Sequence, residues 1–282
     1  MLDRETDTQA VASTGQAAQA GALNQPAGLP DGVLQGKVTV VAGGTGNVGR
    51  YLVSSLLGAG ATVIVPSRSA EKLEAFMEGH RKHAGRPHAD DRLRPLVGNI
   101  ADEVEGPQLV DRILEEEGRL DGAVASLGRF VPTRSILSAE PAELSAAVDG
   151  YLMAHFGAAR TILPALRDSG GSYTFIQGPL AFDIWSSEAS LVSVATSAQA
   201  MLARAIMAEE AEQQTAGRPS VRVNELVMYA AVGWGDEKRG PLEPEHIGAF
   251  VARLMSDEAE DAHGMSIHLK TPSQLDAPWS QL

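Results

Sequence analysis

The sequence predicts an α/β fold in which a parallel sheet of about seven strands carries helices on both faces. Three observations predict it. Short, almost continuously apolar, β-branched runs recur along the chain, helical patterns separate them, and a glycine-rich turn joins the first such run to the first helix. Unbroken apolar strands are buried on both faces, and in a parallel sheet crossover helices do the covering. At 282 residues and 44% apolar, the chain can bury one large core.

Each element follows in order. Residues 1–33 are dominated by Ala, Gln, Gly and Thr and show no apolar period. Such a segment buries too little surface to offset its ordering entropy, so a disordered tail is predicted there, with one folded domain over 34–282. Val38–Ala42 reads as a buried strand and 47–58 as a helix closed by glycine. A short strand at 61–65 and a helix at 70–79 come next. Further β-rich runs lie at 93–97, 122–126, 172–177 and 221–227, with a last strand at 265–269. Long helices are predicted over 143–167 and 188–214.

Composition excludes several functions. A formal charge of −13 is wrong for a phosphate-tracking surface or an anionic membrane, so neither nucleic acid nor membrane is an expected partner. The chain has no cysteine, which removes disulfides, thiolate metal sites and a thiol nucleophile. No apolar run approaches the roughly 18 residues that span a bilayer, and the N-terminus lacks a secretory pattern. A soluble cytoplasmic protein acting on a small molecule is expected. His80, His83 and His88 lie in a run of His, Arg, Lys and Asp that reads as a solvated loop, and no metal site is predicted. The acidic run 257–261 reads as a solvated helix end.

The chemistry begins at Gly43-Gly44-Thr45-Gly46-Asn47-Val48-Gly49. In a parallel sheet the first strand-to-helix turn lies at the carboxyl edge, where ligands bind. Gly43, Gly46 and Gly49 let the backbone approach a pyrophosphate, and the helix N-terminus meets its charge. The second strand then selects the cofactor. An acidic residue at its end would bind a ribose 2′-hydroxyl, but the chain reads Ser67-Arg68-Ser69 there. A guanidinium between hydroxyls suits a 2′-phosphate, and Arg50 adds a second positive charge. NADP(H) is therefore expected rather than NAD(H).

Over residues 35 to about 270 the chain resembles the short-chain dehydrogenase/reductase superfamily, whose fold is a Rossmann-type doubly wound sheet. Gly43-x-x-Gly46-x-x-Gly49 is similar to the form in its atypical and extended branches, NmrA-like proteins included. Asn99-Ile100-Ala101-Asp102 follows the third strand where the family has an adenine-contacting Asp. Ser220–Asn224 resembles the sixth strand, 244–248 the final helix and 264–267 the last strand. The resemblance implies that Thr45, Asn47, Val48, Ser67, Arg68, Asn99, Ile100, Ser126 and Gly128 join the glycines around the cofactor. It also implies a homodimer or homotetramer built on the helices at 143–167 and 188–214.

The family's chemistry does not carry over. Its Asn-Asn-Ala-Gly is here Ala125-Ser126-Leu127-Gly128, and its catalytic Asn aligns with Tyr151. Its Ser aligns with Gly178, and its Tyr and Lys with Val192 and Thr196. Between Tyr173 and Tyr229 the chain contains neither Tyr nor Lys, so no shift of register restores them. The family's Pro-Gly beside the nicotinamide becomes Met228-Tyr229. Tyr151 and Tyr229 are the remaining acid–base candidates, with His155 one turn after Tyr151. Arg129, Arg134, Asp183, Trp185, Ser186, Ser187 and Glu188 stand in loops at the carboxyl edge, where packing, solvation and capping also account for them. Three functions stay open: an NADP(H)-dependent reductase of quinones, flavins or enones, a redox-neutral cyclase, lyase or isomerase on this fold, and a non-catalytic NADP-sensing protein.

Overall fold

Apolar β-branched runs make the strands, and amphipathic runs cover them. The computed structural model describes residues 32–83, 90–132, 135–230, 232 and 241–282; most of the predicted tail, His88 and Arg134 lie outside the described residues. The elements are β1 (Val38–Ala42), α1 (Gly49–Gly58), β2 (Thr62–Ser67), α2 (Ala70–His83), β3 (Leu93–Val97), α3 (Glu105–Glu117) and β4 (Gly122–Ala125). They continue with α4 (Pro141–Val148), α5 (Ala154–Ser169), β5 (Ser172–Gln177), α6 (Ser190–Thr215), β6 (Arg222–Met228), α7 (Pro244–Met255) and β7 (Ser266–Leu269). The described strands form one seven-stranded sheet of order β3-β2-β1-β4-β5-β6-β7, and every neighbouring pair is parallel. This is the doubly wound sheet expected.

Strand alternation divides the core into two layers. Val41, Val63 and Val65 face α1 and α7, where Leu52, Leu56, Phe250 and Leu254 close the first layer. Val40, Ala42 and Ile64 face the other way, onto Ile113 of α3, Ile162 and Leu166 of α5 and Met207 of α6. Leu34 is fully buried in the first layer, and its amide donates to the Ala59 carbonyl at 2.8 Å, so core packing begins four residues before β1. Strand order reverses between β1 and β4, and a sheet of this kind opens a crevice at that switch point.

Three elements differ from the sequence reading. The turn 43–48 is not yet helical: Gly46 N–H donates to Gly43 O, and Arg50 N–H to Gly46 O gives the first helical bond. The predicted single helix over 143–167 is two helices joined by a π-helical turn, Asp149–Met153. It also starts earlier, at Pro141, where Glu140 and Glu143 form a capping box. The third difference concerns hydropathy. Ser187–Thr215 has an 18-residue window of mean hydropathy 1.4, so by length and composition this one described helix could cross a membrane. Alanine, with scattered Val, Leu, Ile and Met, raises its average without making an unbroken apolar run, and half of the window is buried within the protein, against β6 and its neighbours.

Candidate active site

The carboxyl ends of the strands line a cleft of about 1910 Å³ that runs from the glycine turn to the start of α6. At one end the backbone of the turn is pressed so close to its neighbours that side chains are excluded. Gly43 has φ +86°, and a Cβ there would lie 2.2 Å from Ser126 O. A Cβ on Gly49 would meet Gly43 O at 2.1 Å, so this glycine seats α1 on the turn. Among the described residues, no backbone carbonyl accepts from the amides of Thr45, Asn47 or Val48. All three residues line the cleft. A bare backbone cradle with free N–H groups at a helix N-terminus fits the pyrophosphate of a dinucleotide.

The rest of the predicted cofactor set converges on the same cleft, with Ser67, Arg68, Asn99, Ile100, Ser126 and Gly128 in its wall. Ser67 Oγ accepts from Ser69 N–H at 3.3 Å and shapes the turn that presents Arg68. Arg68 is exposed and makes no contact to a described carboxylate, so its guanidinium is available to a phosphate. Asn99 Oδ1 accepts from Ala101 N–H at 3.3 Å, which leaves its amide nitrogen to a ligand. Arg50 is turned back on its own helix, with Nε donating to Gly46 O at 3.4 Å. The chain's own residues therefore fit a dinucleotide.

At the other end stand the three positions where the family resemblance places Ser, Tyr and Lys. Gly178, Val192 and Thr196 all line the cleft. They offer no acid or base. A Cβ on Gly178 would meet no atom within 4 Å, and Thr196 Oγ1 is spent on the Val192 carbonyl at 2.8 Å.

Tyr151 stands on the π-helical turn and packs on Gly128, where a Cβ would lie 2.3 Å from its ring. Gly128 has φ +103°. Burial pushes the Tyr151 phenol up to about 12. His155 is wholly buried one turn on, with Nε2 3.3 Å from Leu127 O and 3.4 Å from Leu127 N, and it fixes the segment carrying Ser126 and Gly128. Burial lowers it to about 4, although the Leu127 hydrogen bond works in the opposite direction. Tyr229 lines the cleft from the end of β6, with its hydroxyl 3.1 Å from His268 Nδ1. Arg129 and Trp185 also line it, whereas Asp183 Oδ1 accepts from Ile184 N–H and Ser187–Ala189 form a short turn before α6.

The sequence reading missed a buried polar group beneath this end. Glu225 on β6 is fully buried and accepts from Gln177 Nε2 and Ser266 Oγ, with Arg204 Nη2 at 3.6 Å. Burial raises its pKa, and the hydrogen bond from Ser266 and the charge of Arg204 offset this in part. Gln177, 3% exposed and next to Gly178, lines the cleft, and its buried Oε1 has no hydrogen-bond partner among the described residues. The hint in the sequence was Glu225 between Asn224 and the apolar run 226–228, in the middle of a predicted strand.

The doubly wound parallel sheet, with a bare glycine turn at the carboxyl edge of β1, defines the class of dinucleotide-binding folds. Residues 37–229 match the family of short chain dehydrogenases, and the chain belongs to that family of oxidoreductases. It is similar to a cis-1,2-dihydrobenzene-1,2-diol dehydrogenase of Pseudomonas putida, 30% identical over 150 residues, half of each chain. The chain thus spans about half the length of the first curated relatives it matches. An uncharacterized oxidoreductase of Bacillus subtilis, YhdF, is 27% identical over 84% of this chain and 83% of its own. A Burkholderia xenovorans structure assigned to the short-chain dehydrogenases/reductases superposes with a TM-score of 0.71 at 22% identity, covering 88% of this chain and 100% of that one. That likeness concerns the fold.

Proposed function

We propose that the protein is an NADP(H)-dependent oxidoreductase whose proton chemistry does not use the family's Tyr and Lys positions. One observation carries the reading. Arg68, flanked by Ser67 and Ser69 and paired with no described carboxylate, stands in the same cleft as the bare glycine turn and as Gly178, Val192 and Thr196. The dinucleotide supplies a hydride when bound. The glycine turn and the amides of Thr45, Asn47 and Val48 hold its pyrophosphate, and Arg68 holds the 2′-phosphate. Acceptors of the quinone, flavin or enone type suit a site with no phenol–ammonium pair at 192 and 196, because their reduction makes smaller demands on a strong acid than ketone reduction does.

Titration with NADPH and NADH, in the natural protein and in Arg68→Ala, tests this. NADPH binds the natural protein more tightly, and the substitution weakens NADPH roughly 10- to 100-fold, the worth of a charge-assisted contact, while leaving NADH unchanged. Equal affinity for both nucleotides refutes the NADP assignment. Failure to bind either refutes the reductase and favours a cofactor-free use of the fold.

We further propose self-association through α5, α6 and the π-helical turn, giving a homodimer or homotetramer. Met153, Phe156 and Met201 stand 48%, 42% and 62% exposed on these neighbouring elements. Light scattering on the natural protein and on Phe156→Glu/Met201→Glu checks it, and a natural protein that is monomeric at micromolar concentration refutes it.

A further inference from the structure

We propose that Tyr229 is the proton donor of this site, with His268 as its proton relay and Lys270 as the cation that holds its phenolate. The inference rests on the reductase reading above. The three groups come from two parallel neighbours. Tyr229 follows β6, His268 lies within β7 and Lys270 follows it, and the register sets Val227 of β6 beside His268. The Tyr229 amide donates to Leu269 O at 3.0 Å, which fixes its backbone to β7.

Side-chain geometry completes the set. Tyr229 and His268 rings lie 5.9 Å apart with the hydroxyl 3.1 Å from Nδ1, and Lys270 Nζ stands 5.0 Å from the Tyr229 ring centroid. Phe182 packs on the other side of His268, at 4.8 Å between centroids, and the Arg204 guanidinium lies 5.1 Å from the Phe182 ring. Among the described residues, the charges that act on the imidazole are those of Lys270 and Arg204, both cationic, the latter 3.6 Å from the Glu225 carboxylate. Burial first, then these two charges, hold His268 below its ordinary value. A neutral imidazole with its proton on Nε2 presents a free Nδ1 lone pair to Tyr229 O–H. His268 is only half-buried, so its ring can exchange protons with water.

The contrast with Tyr151 decides which phenol serves. Burial disfavours ionisation of Tyr151, and no hydrogen bond to its hydroxyl relieves this. Tyr229 has an imidazole 3.1 Å from its oxygen and an ammonium by its ring, a proton partner and a countercharge for which Tyr151 shows no equivalent among the described residues. In reduction of an enone, the acceptor takes a hydride at its β-carbon and one proton at its carbonyl oxygen, a two-electron reduction matched by oxidation of the nucleotide. Tyr229 O–H breaks to give that proton. The ring then tautomerises through water, gives its Nδ1 proton to the phenolate and takes one at Nε2 from water, whose hydroxide passes to the buffer, and the enol product tautomerises in solution.

The test uses the full chain, NADPH, 2-cyclohexenone and the variants Tyr229→Phe and His268→Gln, with two readouts besides rate. In the nucleotide-free protein, ¹H–¹⁵N NMR of the imidazoles shows His268 with its proton on Nε2 at neutral pH, and Tyr229→Phe shifts the Nδ1 resonance. In turnover, Tyr229→Phe lowers kcat roughly 10²- to 10³-fold with unchanged NADPH affinity, and the solvent deuterium isotope effect disappears. His268→Gln, which keeps Tyr229, lowers kcat about tenfold and moves the pH profile, a change that simple packing would not cause. Unchanged kcat and isotope effect in Tyr229→Phe, with a natural protein that binds NADPH and reduces the enone, overturn this inference alone. An identical Nδ1 signal in the two proteins overturns it even before an acceptor is tried. A natural protein that binds no NADPH overturns it together with the reductase reading.

Discussion

His155 makes the protein acid-sensitive by a calculable amount. The ring is 0% exposed, Nε2 is committed to Leu127, and Nδ1 has no partner among the described residues. Burial holds it at about 4 against an ordinary value of 6.5. In the unfolded chain the imidazole takes up a proton as pH falls through 6.5, while in the folded protein it does not until about 4. The stabilisation from keeping it neutral is therefore complete above 6.5, declines below it and is gone once the folded ring protonates. The span between the two values corresponds to about 3 kcal/mol, most of it lost by pH 4.5. Urea unfolding of the natural protein and His155→Gln at intervals from pH 7 to 4.5 isolates this, because the carboxylates titrate alike in both. The natural protein should lose about 2.5 kcal/mol more than the variant over that range. A pH-independent difference refutes the argument. Because His155 fixes the segment bearing Ser126 and Gly128, NADPH affinity of the folded protein should hold to about pH 5 and weaken only as pH approaches 4, where the folded ring protonates.

Two glycines of the cleft respond oppositely to a side chain. Gly49→Ala drives a methyl to 2.1 Å from Gly43 O and should cost about 1–3 kcal/mol and at least tenfold in NADPH affinity, whereas Gly178→Ser enters open space and should leave the melting curve within about 0.5 kcal/mol. Arg167→Ala removes the cation paired with Glu210, which is 1% exposed and otherwise held by Val221 N–H at 2.9 Å. The stranded carboxylate should cost about 3 kcal/mol in urea unfolding, and adding Glu210→Gln should recover part of that loss. Tyr151→Phe keeps the ring that packs on Gly128, and burial has already pushed the phenol to about 12, so enone reduction at pH 7 should stay within about threefold. A large loss of rate there would make Tyr151 the proton donor in place of Tyr229.

What the sequence made legible is what short-range pattern encodes. β1 and β5 were readable because every residue in them is buried on a two-sided sheet, and such strands leave short runs rich in apolar, aromatic and β-branched residues with no charge. The glycine turn was readable because close backbone contact excludes every other residue, and Arg68 because it directly follows a strand whose end must lie at the cleft. The π-helical turn was not: one extra residue in a helical turn leaves the apolar period nearly intact, so the run around Tyr151 reads as unbroken helix. Groups brought together by sheet register were equally hidden. Gln177 and Glu225 are 48 residues apart and Tyr229 and His268 are 39 apart, each pair joined only because β6 lies between β5 and β7. The Tyr–Lys pair of the family resemblance is a local pattern on one helix, so its loss at Val192 and Thr196 is obvious in the sequence. A replacement assembled across two strands leaves no comparable motif. A missing motif on this fold therefore shows that the usual arrangement is gone, and whether proton chemistry persists depends on what neighbouring strands carry to the same cleft.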